Sequence, residues 1–163
     1  MMTTRILITL SFLGLVTACG GPGENAEIPE AQPAGATSAD IGEHVLHFSA
    51  QSTDKLPSEI ASAYNIVRSK NRAMLTVSII RKADDESVPG EVTVKTVNLT
   101  EQLKNVSLRR IDEPGPAGDP DAIYYIGVTP VANRETLKFD ISVKPEGVDE
   151  ASRVRFTREF YTD

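Results

Sequence analysis

The stretch Thr136-Leu137-Lys138-Phe139-Asp140-Ile141-Ser142-Val143 alternates polar and apolar residues over its whole length. Successive side chains of a strand point to opposite faces, so this period of two predicts a strand with one buried and one solvated face. The segment 153–161 repeats the pattern, with Val154, Phe156 and Phe160 on its apolar side. Arg158 interrupts that side, and we interpret it as a long side chain that extends from a sheet edge into water.

Five further segments have the composition of strands and are separated by turn-forming residues. They lie at 45–48, 75–79, 92–99, 106–111 and 123–128. In two of them, 92–99 and 106–111, the apolar residues change face partway, which predicts a bulge or a strand that crosses between sheets. One short helix is predicted to begin at Pro57 or Ser58 and to end before Asn65.

These elements predict an all-β domain over residues 41–163, an immunoglobulin-like β-sandwich of about seven strands with one short helix. A small β-barrel is the alternative. Because Cys19 is the only cysteine, no disulfide can form within the chain, and the apolar core must hold the domain together.

The N-terminal segment differs in composition from this domain. Arg5 precedes an apolar run at 6–16, and small residues follow the run before Cys19. This order is typical of a signal peptide, so residues 1–18 are predicted to be one. The run is shorter than the roughly 20 residues that a membrane-spanning helix needs. Residues 19–40, rich in Gly, Pro, Ala and Glu, predict a lipid-anchored flexible linker.

The motif Val16-Thr17-Ala18-Cys19 resembles the lipobox of bacterial lipoproteins, in which the cysteine is lipidated and becomes the new N-terminus. The resemblance implies a lipid on Cys19. Gly20 follows where a retention signal has aspartate, which implies an outer-membrane, periplasmic location in the cell envelope. An ordinary cleaved signal is the alternative, but it leaves a lone thiol in an oxidising compartment.

The charge balance limits the predicted partners. There are 17 Lys and Arg against 23 Asp and Glu, a formal net charge of −6, whereas nucleic-acid binding needs a basic footprint. The sequence has neither a Gly-rich phosphate loop nor a Gly-x-Ser-x-Gly nucleophile elbow. We therefore predict no nucleic-acid partner, no cofactor, no catalytic residue and no enzymatic activity, and we leave the oligomeric state open.

Three cations form a basic cluster in this acidic protein: Arg68, Lys70 and Arg72. Arginine presents a planar fork of donors, so the cluster is a candidate contact for an anion or a protein partner. If the segment is extended, alternation places all three on one side. The structural alternative is that Arg68 caps main-chain carbonyls or pairs with Asp54, and this alternative is favoured.

His44 and His47 are the only histidines, and their odd separation places them on opposite faces of one strand. They cannot bind one metal ion together without a bulge, so no metal site is predicted. His47 is expected to be hydrogen-bonded within the sandwich and is kept as a candidate interaction residue. Tyr124 and Tyr125 are adjacent on a predicted strand, so at most one is expected to be exposed.

Four stretches resemble the bacterial domain-of-unknown-function family 4426. They are Val45-Leu46-His47-Phe48-Ser49-Ala50, Tyr64-Asn65-Ile66-Val67-Arg68-Ser69-Lys70-Asn71-Arg72, Ala122-Ile123-Tyr124-Tyr125-Ile126 and the ending 156–163. The resemblance implies a small exported β-sandwich protein of unknown function and no catalytic residue. We therefore predict a non-enzymatic protein-interaction module of the envelope, with small-ligand or anion binding as the alternative.

Overall fold

The structure is a computed structural model that describes residues 35–117 and 119–163. These residues form nine strands, a short helix α1 (Ser58–Ala63) and one 3-10 turn (Thr53–Lys55). The strands are β1 (Ser38–Ile41), β2 (His44–Ser52), β3 (Arg72–Arg81), β4 (Gly90–Asn98), β5 (Leu103–Lys104), β6 (Arg109–Glu113), β7 (Ala122–Pro130), β8 (Glu135–Pro145) and β9 (Ser152–Phe160). The predicted signal peptide, Cys19 and most of the predicted linker lie outside the described residues.

The strands pair into two antiparallel sheets. Sheet I has the order β1-β2-β3-β7-β6, and sheet II has the order β5-β4-β8-β9. The chain passes between the sheets after β3, β5 and β7, which confirms the predicted sandwich. The alternative fold, a single closed sheet, is wrong, because the described strands form two sheets that each end in two edge strands.

Two of the nine strands are additional to the predicted seven, and both lie at sheet edges. β1 has four residues and β5 has two, so each is too short to give a clear period of two. β1 begins at Ser38, within the segment predicted to be linker. Residues 38–40 of that segment therefore form part of sheet I.

Strand β8 lies inside sheet II, and its apolar residues face sheet I as the alternation predicts. Its four alternate residues are almost fully buried, namely Leu137, Phe139, Ile141 and Val143. The rings of Phe139 and Phe156 of β9 stack with centroids 4.7 Å apart, and Phe48 of β2 lies 4.7 Å from Phe156. This aromatic group joins the inner faces of the two sheets.

Strand β4 keeps one phase along its length, so the bulge considered for 92–99 is wrong. Its register with β8 runs without interruption from Gly90 opposite Pro145 to Asn98 opposite Leu137. Thr96 occupies the inner position where the apolar pattern breaks, and it is fully buried. The predicted change of face arose because a threonine takes a core position here.

The segment 106–111 does cross between the sheets. After β5 the chain leaves sheet II, and Val106 and Leu108 pack in the core. Ile111 then pairs with Tyr124 of β7 in sheet I. Gly127 makes room for this crossing, because a Cβ there would lie 2.7 Å from the Val106 side chain. The change of face of the apolar residues in 106–111 therefore marks the point at which the chain changes sheet.

Helix α1 follows Pro57, as predicted, and ends in a Schellman motif. The Ile66 N–H donates to Ala61 O at 2.7 Å and the Asn65 N–H donates to Ser62 O at 3.2 Å. Asn65 has a φ of 53°, the left-handed conformation that asparagine tolerates at this position. The motif turns the chain back towards sheet I.

A second, smaller core holds α1 on the outer face of sheet I. It contains buried Leu56, Ala61 and Met74, with half-buried Ile66 and Val128 packed against them. Met74 and Val128 are opposite each other on β3 and β7. Sheet I is therefore covered by sheet II on one face and partly by α1 on the other.

Tyr125 connects the two sheets through a pair of hydrogen bonds. Its hydroxyl accepts from the Gly90 N–H and donates to Gly90 O, both at 2.8 Å. Gly90 also packs closely against β8, because a Cβ there would lie 2.6 Å from Lys144 O. Tyr124 points to the opposite face and is half-buried, which confirms that the adjacent tyrosines diverge.

We expect Tyr125→Phe to lower the free energy of unfolding by about 2 kcal/mol, because the N–H and C=O of Gly90 both lose a buried partner. Tyr124→Phe is the matched control and is expected to change it by less than about 0.5 kcal/mol. Urea unfolding followed by circular dichroism measures both. Equal effects of the two changes would contradict a specific role for the Tyr125 hydroxyl.

Candidate functional site

The basic cluster is spread over three different environments. The Arg68 guanidinium donates to the main-chain O of Asp54 at 2.8 Å, and Lys70 Nζ donates to the main-chain O of Asp163 at 2.8 Å. Arg72 is exposed at the first position of β3. The three side chains were predicted to share one side only if the segment is extended. Only Arg72 lies in a strand, so this prediction does not apply. Within the part of the chain that the structure describes, Arg68 and Lys70 are therefore each held by a main-chain oxygen, whereas Arg72 is not.

Asp54 interacts with Arg68 through its main chain and not through its carboxylate. Within the described residues, Asp54 Oδ1 is buried and has no hydrogen-bond partner. The predicted carbonyl capping by Arg68 is thus confirmed, and the alternative ion pair between the two side chains is not formed.

Thr53 fixes the turn that carries Arg68 and Lys70. Its side chain is fully buried, and its hydroxyl lies 2.9 Å from Val67 O and 3.1 Å from Ser69 O. The same oxygen accepts from the Ser69 N–H at 2.9 Å. The sequence gives no sign of this role, because Thr53 and its partners are about fifteen residues apart.

The histidines lie on opposite faces of β2, as predicted, but His47 is not buried within the sandwich. His44 shares the inner face with Leu46 and Phe48 and is buried, whereas His47 is exposed on the outer face. The prediction of a hydrogen-bonded His47 within the sandwich is therefore wrong. In residues 35–117 and 119–163, no three His, Cys, Asp or Glu residues converge as metal ligands do.

An apolar groove lies between α1 and the outer face of sheet I. It has a volume of about 180 Å³. Its walls are mostly aliphatic and aromatic side chains from the helical segment and from three strands, namely Ile60, Tyr64, Ile66, Met74, Thr76, Ile111, Glu113, Tyr124 and Ile126. We call it the α1 groove. Ile60, at its rim, is 41% exposed.

Strand β6 holds the end of α1 in place over this groove. Arg109, Ile111 and Glu113 alternate, so all three side chains lie on the face that α1 covers. The Arg109 guanidinium donates to the main-chain O of Tyr64, and the Tyr64 hydroxyl donates to Glu113 Oε1 at 2.9 Å. Ile111 lies between these two polar contacts and forms part of the groove wall.

The contact with Glu113 changes the ionisation of Tyr64. The hydrogen bond to the carboxylate, partial burial and the negative charge of Glu113 together raise the pKa of Tyr64 above its ordinary value. The hydroxyl therefore remains protonated at neutral pH and continues to donate to Glu113. Glu113 is the one acidic side chain in the wall of the groove.

The groove is the part of the site that sequence reasoning did not assemble. Arg109 falls within the predicted strand 106–111 and Glu113 comes just after it, but nothing in the sequence shows that both reach Tyr64. The alternation of Arg109, Ile111 and Glu113 was the only available signal, and it is weak because β6 has five residues.

None of the described helices is long and apolar enough to cross a membrane.

The fold and the groove define the class of this protein: a two-sheet β-sandwich domain with an apolar groove under a short helix. The family model described as "Domain of unknown function (DUF4426)" matches residues 38–163, and the chain belongs to this family. No curated protein matches the chain.

A solved structure supports the same assignment. The crystal structure of a DUF4426 family protein from Pseudomonas aeruginosa PAO1 is similar to this chain, with a TM-score of 0.64 and 28% sequence identity. The similarity covers 77% of this chain and 94% of that chain. It therefore extends over nearly the whole of the related protein.

We expect Arg68→Gln to lower the free energy of unfolding by about 1 kcal/mol, because Asp54 O loses a charge-assisted hydrogen bond. Arg72→Gln removes the same charge from the same segment and is expected to change it by less than about 0.5 kcal/mol. Thermal unfolding of the two variants compares them directly. A larger loss for Arg72→Gln would show that the structural contact has been assigned to the wrong arginine.

Proposed function

We propose that this protein is an outer-membrane-anchored periplasmic lipoprotein whose β-sandwich domain is a non-enzymatic protein-interaction module. The observation that carries the interaction role is the α1 groove, an apolar surface that α1 leaves open to solvent. The anchoring role is supported by the lipobox-like Val16-Thr17-Ala18-Cys19. A tether on one side and an open apolar groove on the body suit a protein that holds a partner near a membrane.

The size of the groove favours a single apolar side chain of a partner. An apolar cavity of about 150 Å³ accommodates a benzene molecule, so a groove of this size accepts one aromatic or branched aliphatic group. Such anchors in desolvated pockets supply much of the binding energy at protein interfaces. Tyr64 and Tyr124 provide aromatic surface at low conformational cost.

Charge complementarity narrows the chemistry of the partner further. One carboxylate oxygen of Glu113, Oε1, accepts a hydrogen bond from the Tyr64 hydroxyl. Glu113 lies on the edge strand β6. A lysine or arginine next to the inserted apolar residue would meet this carboxylate. The proposed partner is therefore a protein segment with an aromatic or branched residue beside a basic one.

The alternative role, binding of an anion or a small ligand, has less support. Arg68 and Lys70 already donate to main-chain carbonyls, so the basic cluster is not arranged around an empty anion position. The groove is walled mainly by apolar groups and has few polar atoms to orient a small polar ligand. A small apolar ligand remains an outcome that the experiment on the groove distinguishes.

The anchor is tested by Cys19→Ser in the full precursor. We expect this variant to lose incorporation of labelled fatty acid and to leave the outer-membrane fraction, because no thiol remains to be acylated. Gly20→Asp is the complementary variant, and it is expected to keep the lipid but to shift the protein to the inner membrane. Fractionation of Cys19→Ser with the outer membrane would refute anchoring at this residue.

The groove is tested by site-specific photocrosslinking in intact cells. A photoreactive residue at Ile60 is expected to give a discrete protein adduct, whereas one at Thr93, on the outer face of sheet II, is not. Ile111→Lys places a charge in the groove wall and is expected to abolish the Ile60 adduct while the protein still folds, as judged by its melting temperature.

Three results would count against the proposed interaction. These are an adduct of equal strength at Thr93, an Ile60 adduct that survives Ile111→Lys, and a lipid or metabolite adduct in place of a protein. The last result would favour the small-ligand alternative. Any protein partner found in this way must also bind when both proteins are purified. We expect Ile111→Lys to weaken the affinity of that binding at least about tenfold.

A further inference from the structure

Strand β9 forms one free edge of sheet II. All nine of its residues, Ser152–Phe160, pair with β8 on one side, and no described strand pairs with it on the other. A free edge presents a row of main-chain N–H and C=O groups that can pair with another strand. This edge is longer than those of β1, β5 and β6, which have four, two and five residues.

The charges along the outer face of β9 have opposite signs at its two ends. Arg153 lies near the start and Glu159 near the end, and both side chains are exposed. Among the described residues, neither forms an ion pair, whereas Arg155 between them binds Asp140 of β8 at 3.0 Å. A strand with a cation at one end and an anion at the other is self-complementary when two copies run antiparallel.

We infer that β9 is a self-association edge, at which two copies of this chain pair antiparallel around a twofold axis at Phe156. In this register all nine residues of each strand are paired, because Phe156 is the central residue of β9. Arg153 of each copy then lies opposite Glu159 of the other, which gives two attractive cross-strand pairs. Arg155 lies opposite Thr157. Sheet II becomes a continuous eight-stranded sheet, twice its four strands.

On the inner face, this register places Phe156 opposite its own copy and Arg158 opposite Val154. Phe156 is half-buried, stacks on Phe139 and lies next to Phe48. A twofold axis at Phe156 brings the two copies of this ring together and covers their exposed parts. The interface is isologous: where one residue of the first copy contacts a second residue of the other copy, the reverse contact is also made.

Other registers fit less well. A shift of one residue places outer side chains opposite inner ones and breaks the pleat of the continuous sheet. A twofold axis at Arg155 places that arginine opposite itself, and like charges in direct opposition destabilise a strand pair. An axis at Thr157 leaves the first two residues of β9 without partners in the paired strand. That axis also gives two attractive pairs, between Arg155 and Glu159, but Arg155 is already paired with Asp140. The axis at Phe156 pairs all nine residues and leaves that ion pair in place.

The test uses charge reversal and rescue in the full chain carrying Cys19→Ser, so that lipid and detergent do not contribute to association. Sedimentation velocity over a series of protein concentrations is expected to show a monomer–dimer equilibrium. Arg153→Glu and Glu159→Arg each replace two attractive pairs by two repulsive ones, and each is expected to raise the dissociation constant at least about tenfold.

An equimolar mixture of the two variants provides the decisive measurement. In a mixed dimer both cross-strand pairs are again opposite in sign, so the mixture is expected to dimerise as well as the unsubstituted chain. A variant that had merely misfolded would not recover on mixing. Arg72→Glu, which makes the same charge change on sheet I, is the control and is expected to leave the dissociation constant unchanged.

Three results would overturn the inference: a monomer at every concentration, a dimer that neither reversal weakens, or weakened variants that do not recover when mixed. The last would exclude the register in which Arg153 faces Glu159. The inference does not depend on the α1 groove, which lies on sheet I, so failure of either proposal leaves the other open to its own test.

Discussion

The burial of one face of β8 against sheet I is the interaction on which the rest of this structure depends. The chain has no disulfide, so the two sheets are held by apolar contact and a few hydrogen bonds between them. Each large side chain buried here contributes about 1.5–3 kcal/mol. Phe139 contributes to this contact through Phe156, because the two rings stack and Phe156 in turn lies next to Phe48 of sheet I.

The same sandwich explains why the notable surface features lie at its periphery. The inner faces are filled with side chains, so the outer faces and the sheet edges are where another molecule can bind. Sheet I carries α1 and the groove beneath it, whereas sheet II has a charged outer face and a long free edge at β9. The features that support a partner site and a self-association edge are therefore well separated on the domain.

The basic cluster shows how a charge pattern in sequence can mislead about function. Arg68, Lys70 and Arg72 are close in sequence, which indicates a shared surface, but the fold sends two of them to different main-chain carbonyls. His47 gives a similar lesson, since alternation placed the two histidines on opposite faces but could not tell which face is buried. In both cases local spacing was predictable and the partner was not, because the partner is distant in the chain.

The sequence by itself determined the all-β class, the seven longer strands, helix α1 and its end before Asn65, because these depend on short-range periodicity and local turn chemistry. Only the tertiary structure decided that Thr96 takes a core position, that β1 and β5 pair at sheet edges, and that Arg109 and Glu113 meet Tyr64. These outcomes depend on which distant segments become neighbours. A buried threonine or a two-residue strand acquires its role only from the residues packed against it.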